Sequence, residues 1–437
     1  MTNKSSRREF VKKSARIAAG ALILPNIIPA KALGKGGFTP PSDRVVMGAI
    51  GVGSQGTSNM NDFLELKNAV QFVSVCDVDS GHNERAKKIV DDTYKNKDCR
   101  TYGDFREFLE KEKLDAVSIA LPDHWHGIIY TAAANKGLDV YGEKPICRTI
   151  EDGKAIVSAA KKNKIIWQTG SWQRSQPHFH HGAELAINGR IGKINYIEVG
   201  LPDGGKGIGT PPVKEVPAEL NWEMWLGPAL KVPYRGVSHW DWRWILDYSG
   251  GQLTDWAGHH IDIANWGAGL EHTGPVEIAG SGVYPLDGIF NVPVEYDFLC
   301  KYANGIEMRV ANAARQRFGM GTTWYGDKGW IHVDRGERIS ASDPKILEEK
   351  IGDTEIKLYK SDNHWQNFVD CVKSRKPAIA PVEVAYRAIS VALLGEIAMT
   401  TGETIKWDPE KEEIIGNPRA SRLLGRPYRQ PWSHPTV

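Results

Sequence analysis

The sequence predicts an α/β protein: a doubly wound parallel sheet, then an α+β domain built on a mostly antiparallel, open sheet. Three observations carry this. Between Arg44 and about Gly170, short apolar runs alternate with helix-like segments, the pattern of parallel strands joined by right-handed crossovers. The first run, residues 45–50, feeds directly into Gly51-x-Gly53-x-x-Gly56. Beyond Gly170 the alternation stops, and strand candidates follow at 276–284, 295–301, 307–313, 322–325 and 329–334.

The first 32 residues stand apart. Ser6-Arg7-Arg8-Glu9-Phe10-Val11-Lys12, a modest apolar stretch over 17–28 and Ala30-Lys31-Ala32 read as a twin-arginine export signal with a cleavage site. Pro25 and Pro29 break the apolar stretch and it is too short to span a membrane. This segment holds seven Lys or Arg and one Glu, so the formal charge of +2 for the whole chain becomes −4 without it. No basic surface for nucleic acid is therefore expected. With 41% hydrophobic and 25% charged residues in 437, the remainder suits two globular domains, at 43–170 and 171–437, not a disordered or membrane-spanning chain. Five widely spaced cysteines with no CxxC indicate neither a disulfide framework nor a zinc knuckle.

Residues 45–50 are short and apolar enough for a buried parallel strand, and 57–67 reads as the helix that follows. Gly51 then permits the tight turn, Gly53 the approach of backbone to a pyrophosphate and Gly56 the packing of helix on strand, with Ser54 and Gln55 between them at the helix amino terminus. The next strand, 70–75, ends at Cys76-Asp77, where a carboxylate suits the adenosine ribose hydroxyls. Further strands are expected at 116–121, 138–141 and 165–169, with helices at 83–94, 103–111, 125–136 and 150–162. Ligands in such sheets gather at the carboxyl ends of the strands, which brings Pro122-Asp123-His124-Trp125-His126 and Glu143-Lys144-Pro145 to that edge.

In the second half, a helix at 178–188 and a strand at 194–201 precede a glycine- and proline-rich passage and a tryptophan-rich stretch. Gly250 to Asp262 follows, in which Asp255 and His259, four apart, share one helical face. Helices at 365–373 and 382–400 are expected to return to the domain boundary.

With GxGxxG, Asp77, Glu143-Lys144-Pro145 and Asp255-x-x-x-His259 in that order, the chain resembles the family of glucose-fructose oxidoreductase, inositol dehydrogenase and their relatives over nearly its whole mature length. The resemblance implies a Rossmann domain, an α+β domain whose open sheet often joins subunits, and a bound nicotinamide cofactor. It also implies Lys144 and His259 at the reacting carbon with Asp255 beside them, and Gln173-Arg174 near nicotinamide and substrate. The residue types support those roles. Lys144 can stabilise alkoxide character as hydride leaves, and a histidine can take the hydroxyl proton. Asp77 suits a free 2′-hydroxyl and repels a 2′-phosphate, so NAD is expected over NADP, with Arg85 the residue that would offset this.

The cofactor site is expected to comprise Gly51, Gly53, Ser54, Gln55, Gly56, Asp77, Pro122, His124, His126, Glu143, Lys144 and Gln173, with His124 and His126 either flanking the nicotinamide ribose or capping a helix. The substrate site is expected to draw on Arg174, His239, Trp240, Trp242, Arg243 and His260, an indole such as Trp240 or Trp242 serving as a sugar platform. The histidine groups at 124/126, 178/180/181 and 259/260 with Asp262 lack a recurring tight ligand spacing, so no metal is expected.

An exported nicotinamide enzyme meets no free cofactor pool and must restore its cofactor within each cycle. Three schemes satisfy this: oxidation of one sugar with reduction of another; a glycosidase that transiently oxidises C3, eliminates, hydrates and reduces again; or electron transfer to a partner. Asp255-x-x-x-His259 is nearer the dehydrogenase pattern, so oxidation of a carbohydrate secondary hydroxyl by a periplasmic homo-oligomer leads. A non-catalytic sugar-binding relative is the remaining class.

Overall fold

The computed structural model describes residues 43–434, so the expected export signal lies outside the described residues. Six strands, β1 (Val45–Ile50), β2 (Val70–Cys76), β3 (Arg100–Tyr102), β4 (Ala116–Ile119), β5 (Asp139–Gly142) and β6 (Trp167–Thr169), form a wholly parallel sheet in the order 3-2-1-4-5-6. That order is the dinucleotide-binding arrangement, with its crevice where β1 and β4 diverge. Helices α1 (Ser54–Glu65), α2 (Ser80–Tyr94), α3 (Phe105–Lys111), α4 (His126–Asn135) and α5 (Ile150–Asn163) make the crossovers.

Two boundaries differ from expectation for a reason that matters at the site. Helix α1 begins at Ser54, three residues early, because Gly53 itself is its N-cap. Strand β4 ends at Ile119, two residues early, since Leu121 and Pro122 turn out of the sheet to line the cleft. Strand β3 is absent from the sequence reading: its three residues, Arg-Thr-Tyr, lie at the sheet edge and carry no apolar run.

The second sheet has nine strands in the order β13-β12-β11-β7-β10-β9-β8-β14-β15, mostly antiparallel, with β7 (Ile194–Leu201) and β10 (Glu307–Asn312) parallel. The rest are β8 (Glu277–Val283), β9 (Glu295–Lys301), β11 (Gly321–Gly326), β12 (Gly329–Asp334), β13 (Arg338–Ala341), β14 (Ile405–Asp408) and β15 (Glu413–Ile414). Helices α6 (Pro177–Ile187), a one-turn α7 (Trp222–Leu226), α8 (Gly251–Ala268), α9 (His364–Ser374) and α10 (Val382–Thr401) complete the fold. Helix α8 is buried along most of its length, against β7 and β11 on one side and α10 on another. That burial makes it a rigid carrier for Asp255 and His259. Helix α9 sets Phe368 against Phe63 of α1 and Tyr141 of β5, ring centres 5.9 Å apart in each case.

Between β7 and α8 runs a long irregular passage. Its residues Glu219 to Asn221 pair with the chain after β2: Ser80 N–H donates to Glu219 O and Asn221 N–H to Val78 O, each at 2.9 Å. Leu220, Trp225, Leu226, Trp242 and Tyr248 form a small core beneath this passage. It thereby becomes one wall of the crevice.

Candidate functional site

A cleft of about 1130 Å³ runs from the glycine turn to the amino-terminal half of α8, lined by Gly51, Gly53, Ser54, Gln55, Gly56, Asp77, Pro122, Glu143, Lys144, Trp242, Arg243 and Asp255 among others. At one end Gly51 holds φ +78°, and a Cβ there would lie 2.0 Å from Ala120 O. A Cβ on Gly56 would lie 1.9 Å from Gly51 O. Gly53 is different: its nearest neighbour would be the His82 ring at 3.6 Å, an ordinary contact. The side chain missing at Gly53 is thus open cleft, beside α1 N–H groups that no side chain caps. Open space against unsatisfied donors is what a pyrophosphate requires.

Asp77 closes this end. Its Oδ2 accepts Val52 N–H at 2.8 Å and its Oδ1 accepts Asp79 N–H at 2.9 Å, so the carboxylate is pinned at the lip of the turn. His82 lies 3.4 Å from Asp77 Oδ2, and that hydrogen bond raises its pKa. His239 is brought here, 3.5 Å from Asp79 Oδ2 and half exposed, instead of to the substrate end where the sequence reading had it. The irregular passage that carries it is tied to the chain after β2. Among the described residues Asp79, His82 and His239 bring ligand-type atoms within 4.8 Å of one another, a grouping that sequence spacing did not reveal.

At the other end Lys144 Nζ donates to Asp255 Oδ1 at 2.8 Å. Its stem crosses α8 at Gly258, where a Cβ would come within 2.9 Å of Lys144 Cβ, so a glycine one turn from Asp255 lets the lysine lie down. Burial raises the Asp255 pKa, but Lys144 and Arg243 outweigh it and the carboxyl is held below its usual value. Arg243 Nε lies 3.9 Å from Asp255 Oδ1. His259, one turn on, is buried; burial first, then Lys144 and Arg335, push its pKa well below the ordinary value, so it is a neutral imidazole. Its Nδ1 has no hydrogen-bond partner. The rings of Trp172 and Trp256 flank it at 6.1 and 5.8 Å. Glu143 is buried behind Lys144, accepting from Asn59 Nδ2 at 2.9 Å and from Lys144 N–H at 3.2 Å. Gln173 is fully buried with both amide atoms unpartnered.

Four further expectations are corrected. His124 and His126 sit behind the cleft wall: His124 Nε2 is 3.0 Å from Trp225 O, while His126 Nδ1 and Nε2 are 2.6 and 3.0 Å from Pro145 O and Leu121 O. His126 thus ties together the two strand-end loops. Arg174 is not free for substrate. It is 2% exposed, forks onto Asp262 at 2.6 and 2.8 Å and donates to Glu271 at 2.8 Å. His260 points away from Asp255, as i+5 geometry dictates; it stacks on Trp256 and lies 3.8 Å from Asp334. Both indoles named as platforms meet the Arg243 guanidinium, 4.3 Å from the Trp240 ring centre and 4.4 Å from that of Trp242; Trp240 is 60% exposed, while Trp242 lines the cleft from the small core beneath the passage. Beside His259 lie Trp172 and, stacked on it, Arg335, which sequence reasoning missed. Arg335 follows β12, some eighty residues from Asp255, and no local pattern marks it.

Buried histidines give the protein a pH dependence. Burial first of all holds His124 and His260 at about 3, and His126, His332 and His364 at about 4. Their folded pKa values lie below the unfolded value near 6.5. As pH falls, the unfolded chain therefore takes up protons first, and the stability they contribute, complete above about 6.5, is lost toward pH 4. Asp123, pushed up to about 7 by burial, opposes this, as do His82 and His434, whose pKa values are raised by hydrogen bonds to Asp77 and Asp152, while His259, pushed well down by burial, adds to it. Each histidine is worth at most about 1.4 kcal/mol per pH unit. Urea midpoints should fall steadily from pH 6.5 to 5, and a flat profile would contradict the assignment.

Residues 45–171 match the family model described as oxidoreductase family, NAD-binding Rossmann fold, and residues 205–434 that described as oxidoreductase family, C-terminal alpha/beta domain. The chain is 27% identical over 188 residues to an alpha-N-acetylgalactosaminidase of Shewanella oneidensis, covering 39% of this chain and 40% of that protein. It is 27% identical over 176 residues to a scyllo-inositol 2-dehydrogenase (NAD(+)) of Bacillus subtilis, covering 40% and 41%. The chain thus spans about two fifths of the length of these curated relatives. Its fold is similar to that of the WlbA dehydrogenase from Bordetella pertussis, solved with NADH and UDP-GlcNAcA, at a TM-score of 0.61 and 16% identity over 84% of this chain and 99% of that one. It is likewise similar to the aldose-aldose oxidoreductase from Caulobacter crescentus, solved with glycerol, at 0.60 and 18% over 83% and 99%.

Proposed function

Because the chain belongs to the oxidoreductase family of glucose-fructose oxidoreductase, inositol dehydrogenase and their relatives, we propose that it is an NAD-dependent dehydrogenase of a sugar or glycoside secondary hydroxyl. The observation that carries this is the continuity of one cleft from the glycine turn and Asp77 to the Lys144–Asp255 pair. Gly51, Gly53, Gly56 and Asp77 would hold the dinucleotide, with Pro122, Glu143 and Gln173 toward its nicotinamide end. When bound, NAD supplies a nicotinamide that accepts hydride from the substrate carbon.

The chain's own residues handle the proton and the charge. Lys144 donates a hydrogen bond to the reacting oxygen and stabilises its negative character. Asp255 keeps the ammonium aimed. His259, one helical turn from Asp255 and held neutral first of all by burial, accepts the hydroxyl proton. Its pKa is depressed by burial first and then by Lys144 and Arg335, so the acid limb of the kcat/KM profile lies lower than for an ordinary histidine.

A second reading, a glycosidase working by transient oxidation, is favoured by the likeness to the Shewanella oneidensis glycosidase. Either reading includes export by the twin-arginine route with the cofactor retained. It also includes a homo-oligomer formed through the outward face of the nine-stranded sheet, where Arg309 pairs with Asp297 and Tyr325 donates to Glu198. Among the described residues no helix is long and apolar enough to cross a membrane.

Mass spectrometry of the nucleotide released from folded protein, followed by incubation with a panel of glycosides under nicotinamide absorbance, tests the reading. Co-purifying NAD that becomes lastingly reduced, with a keto sugar formed, supports the dehydrogenase. Free sugar without lasting reduction supports the glycosidase. A protein that neither carries nor can be loaded with NAD overturns both.

A further inference from the structure

Arg335 opens the turn after β12 and is held in an unusual way. Its guanidinium carbon lies 4.6 Å from the ring centre of Trp172 and 4.3 Å from that of Trp256, so indoles cover the cation. Its Nε is buried with no hydrogen-bond partner. Among the described residues no carboxylate reaches ion-pair distance of this guanidinium, although other buried arginines are paired, Arg174 with Asp262 and Glu271, and Arg148 with Glu396. The acids nearby are committed elsewhere. The neighbouring Asp334 is taken by Arg338 and lies 3.8 Å from His260, and Asp255 belongs to Lys144 and Arg243. Glu337 is exposed.

The indoles that cover Arg335 are the same two that flank His259. The charge of Arg335 is felt by both Asp255 and His259, and burial pulls its own pKa down, the cost of an unpaired cation. Lys144, Arg243 and Arg335 all act on Asp255, and of the three Arg335 alone has no carboxylate at ion-pair distance among the described residues. A guanidinium packed against ring faces keeps its in-plane N–H edge for a partner, and that edge matches a carboxylate with two parallel hydrogen bonds.

We propose that the substrate is a sugar acid, a saccharide or glycoside bearing a carboxylate that lies in the plane of the Arg335 guanidinium while its reacting hydroxyl meets Lys144 and His259. This rests on the dehydrogenase reading and narrows it. The carboxylate supplies the anion that the site lacks, and it fixes which hydroxyl faces the nicotinamide.

The test uses the NAD-loaded full chain with the methyl glycosides of glucuronate and galacturonate beside those of glucose and galactose, and with glucose 6-phosphate. Binding is read by tryptophan fluorescence and turnover by nicotinamide absorbance. A uronide should bind at least about tenfold tighter than its neutral counterpart, the worth of a charge-assisted pair. Arg335→Met, which keeps an apolar stem between the indoles, should shrink that ratio about tenfold, with Arg335→Lys recovering only part of it. Neutral glycosides binding as tightly as uronides, a phosphosugar preferred over both, equal losses for acidic and neutral ligands in Arg335→Met, or no binding by any of them would each overturn the proposal. The two readings fail separately. Uronide binding through Arg335 with the nicotinamide never reduced would refute the dehydrogenase and leave the sugar-acid site standing, whereas neutral glycosides reducing the nicotinamide with no uronide bound would do the reverse.

Discussion

Lys144→Met is expected to lower kcat by about 10²–10³-fold, the usual cost of removing one donor aimed at a developing oxyanion, while NAD still co-purifies. Methionine keeps an unbranched stem to lie against Gly258, so the path of the side chain across α8 is preserved. What disappears is the ammonium that donates to Asp255 at 2.8 Å and faces the cleft. Asp255 would then keep only Arg243, at 3.9 Å, to hold its charge, and one of the influences depressing the His259 pKa would be gone. The acid limb of the kcat/KM profile should therefore move upward in the variant as turnover falls. Single-turnover reduction of the bound nicotinamide separates this from slow product release. Full turnover by Lys144→Met would remove the lysine from the chemistry.

Gly56→Ala should cost cofactor retention outright, at least about 100-fold in NAD affinity, because the added methyl meets backbone and not a movable side chain. It would lie 1.9 Å from Gly51 O, in a turn whose Gly51 already sits 2.0 Å, as a virtual Cβ, from Ala120 O. No rotamer relieves a backbone clash, so α1 must move off β1 and take its amino terminus away from the phosphates. Overpacking of this kind costs about 1–3 kcal/mol, readable as a lower urea midpoint of the cofactor-free protein. Gly53→Ala is the contrast. Its methyl meets nothing nearer than the His82 ring at 3.6 Å, so the cofactor-free protein should lose only the preference for glycine over alanine at the N-cap, up to about 1 kcal/mol, and the larger loss should fall on NAD binding. Isothermal titration with NAD and urea unfolding of both variants decide the matter. A Gly56→Ala protein that keeps stoichiometric NAD and the parental midpoint would contradict the close packing of α1 on the turn.

The glycine turn was legible in the chain because it acts largely through its own neighbours, whereas Lys144 was legible through the family resemblance. An apolar run entering a glycine turn and then a helix is a local event, and the sheet only has to accept it. Asp255 and His259 were readable for the same reason, since helical periodicity alone puts residues four apart on one face. The strand order was harder. Strand β3, three residues at an edge with no apolar run, exists because β2 offers it a partner, and nothing in Arg-Thr-Tyr announces that.

Arg174, His239 and Arg335 show where local reading ends. In sequence Arg174 and Arg335 are equivalent cations near aromatic residues. In space Arg174 meets Asp262 and Glu271, 88 and 97 positions away, and is neutralised. Arg335 meets two indoles and no acid. His239 sits among candidate sugar ligands in the chain but beside Asp79 in the fold. Residue types and short spacings thus specified the Rossmann turn, the ribose carboxylate and the shared helical face of Asp255 and His259, because bonding over a few residues is governed by backbone geometry; that Lys144 joins them was implied by the family resemblance. Which charges are paired and which are left for a ligand was settled by the packing of β12, α6 and α8, since an ion pair depends on a separation of a few ångströms that no spacing along the chain encodes.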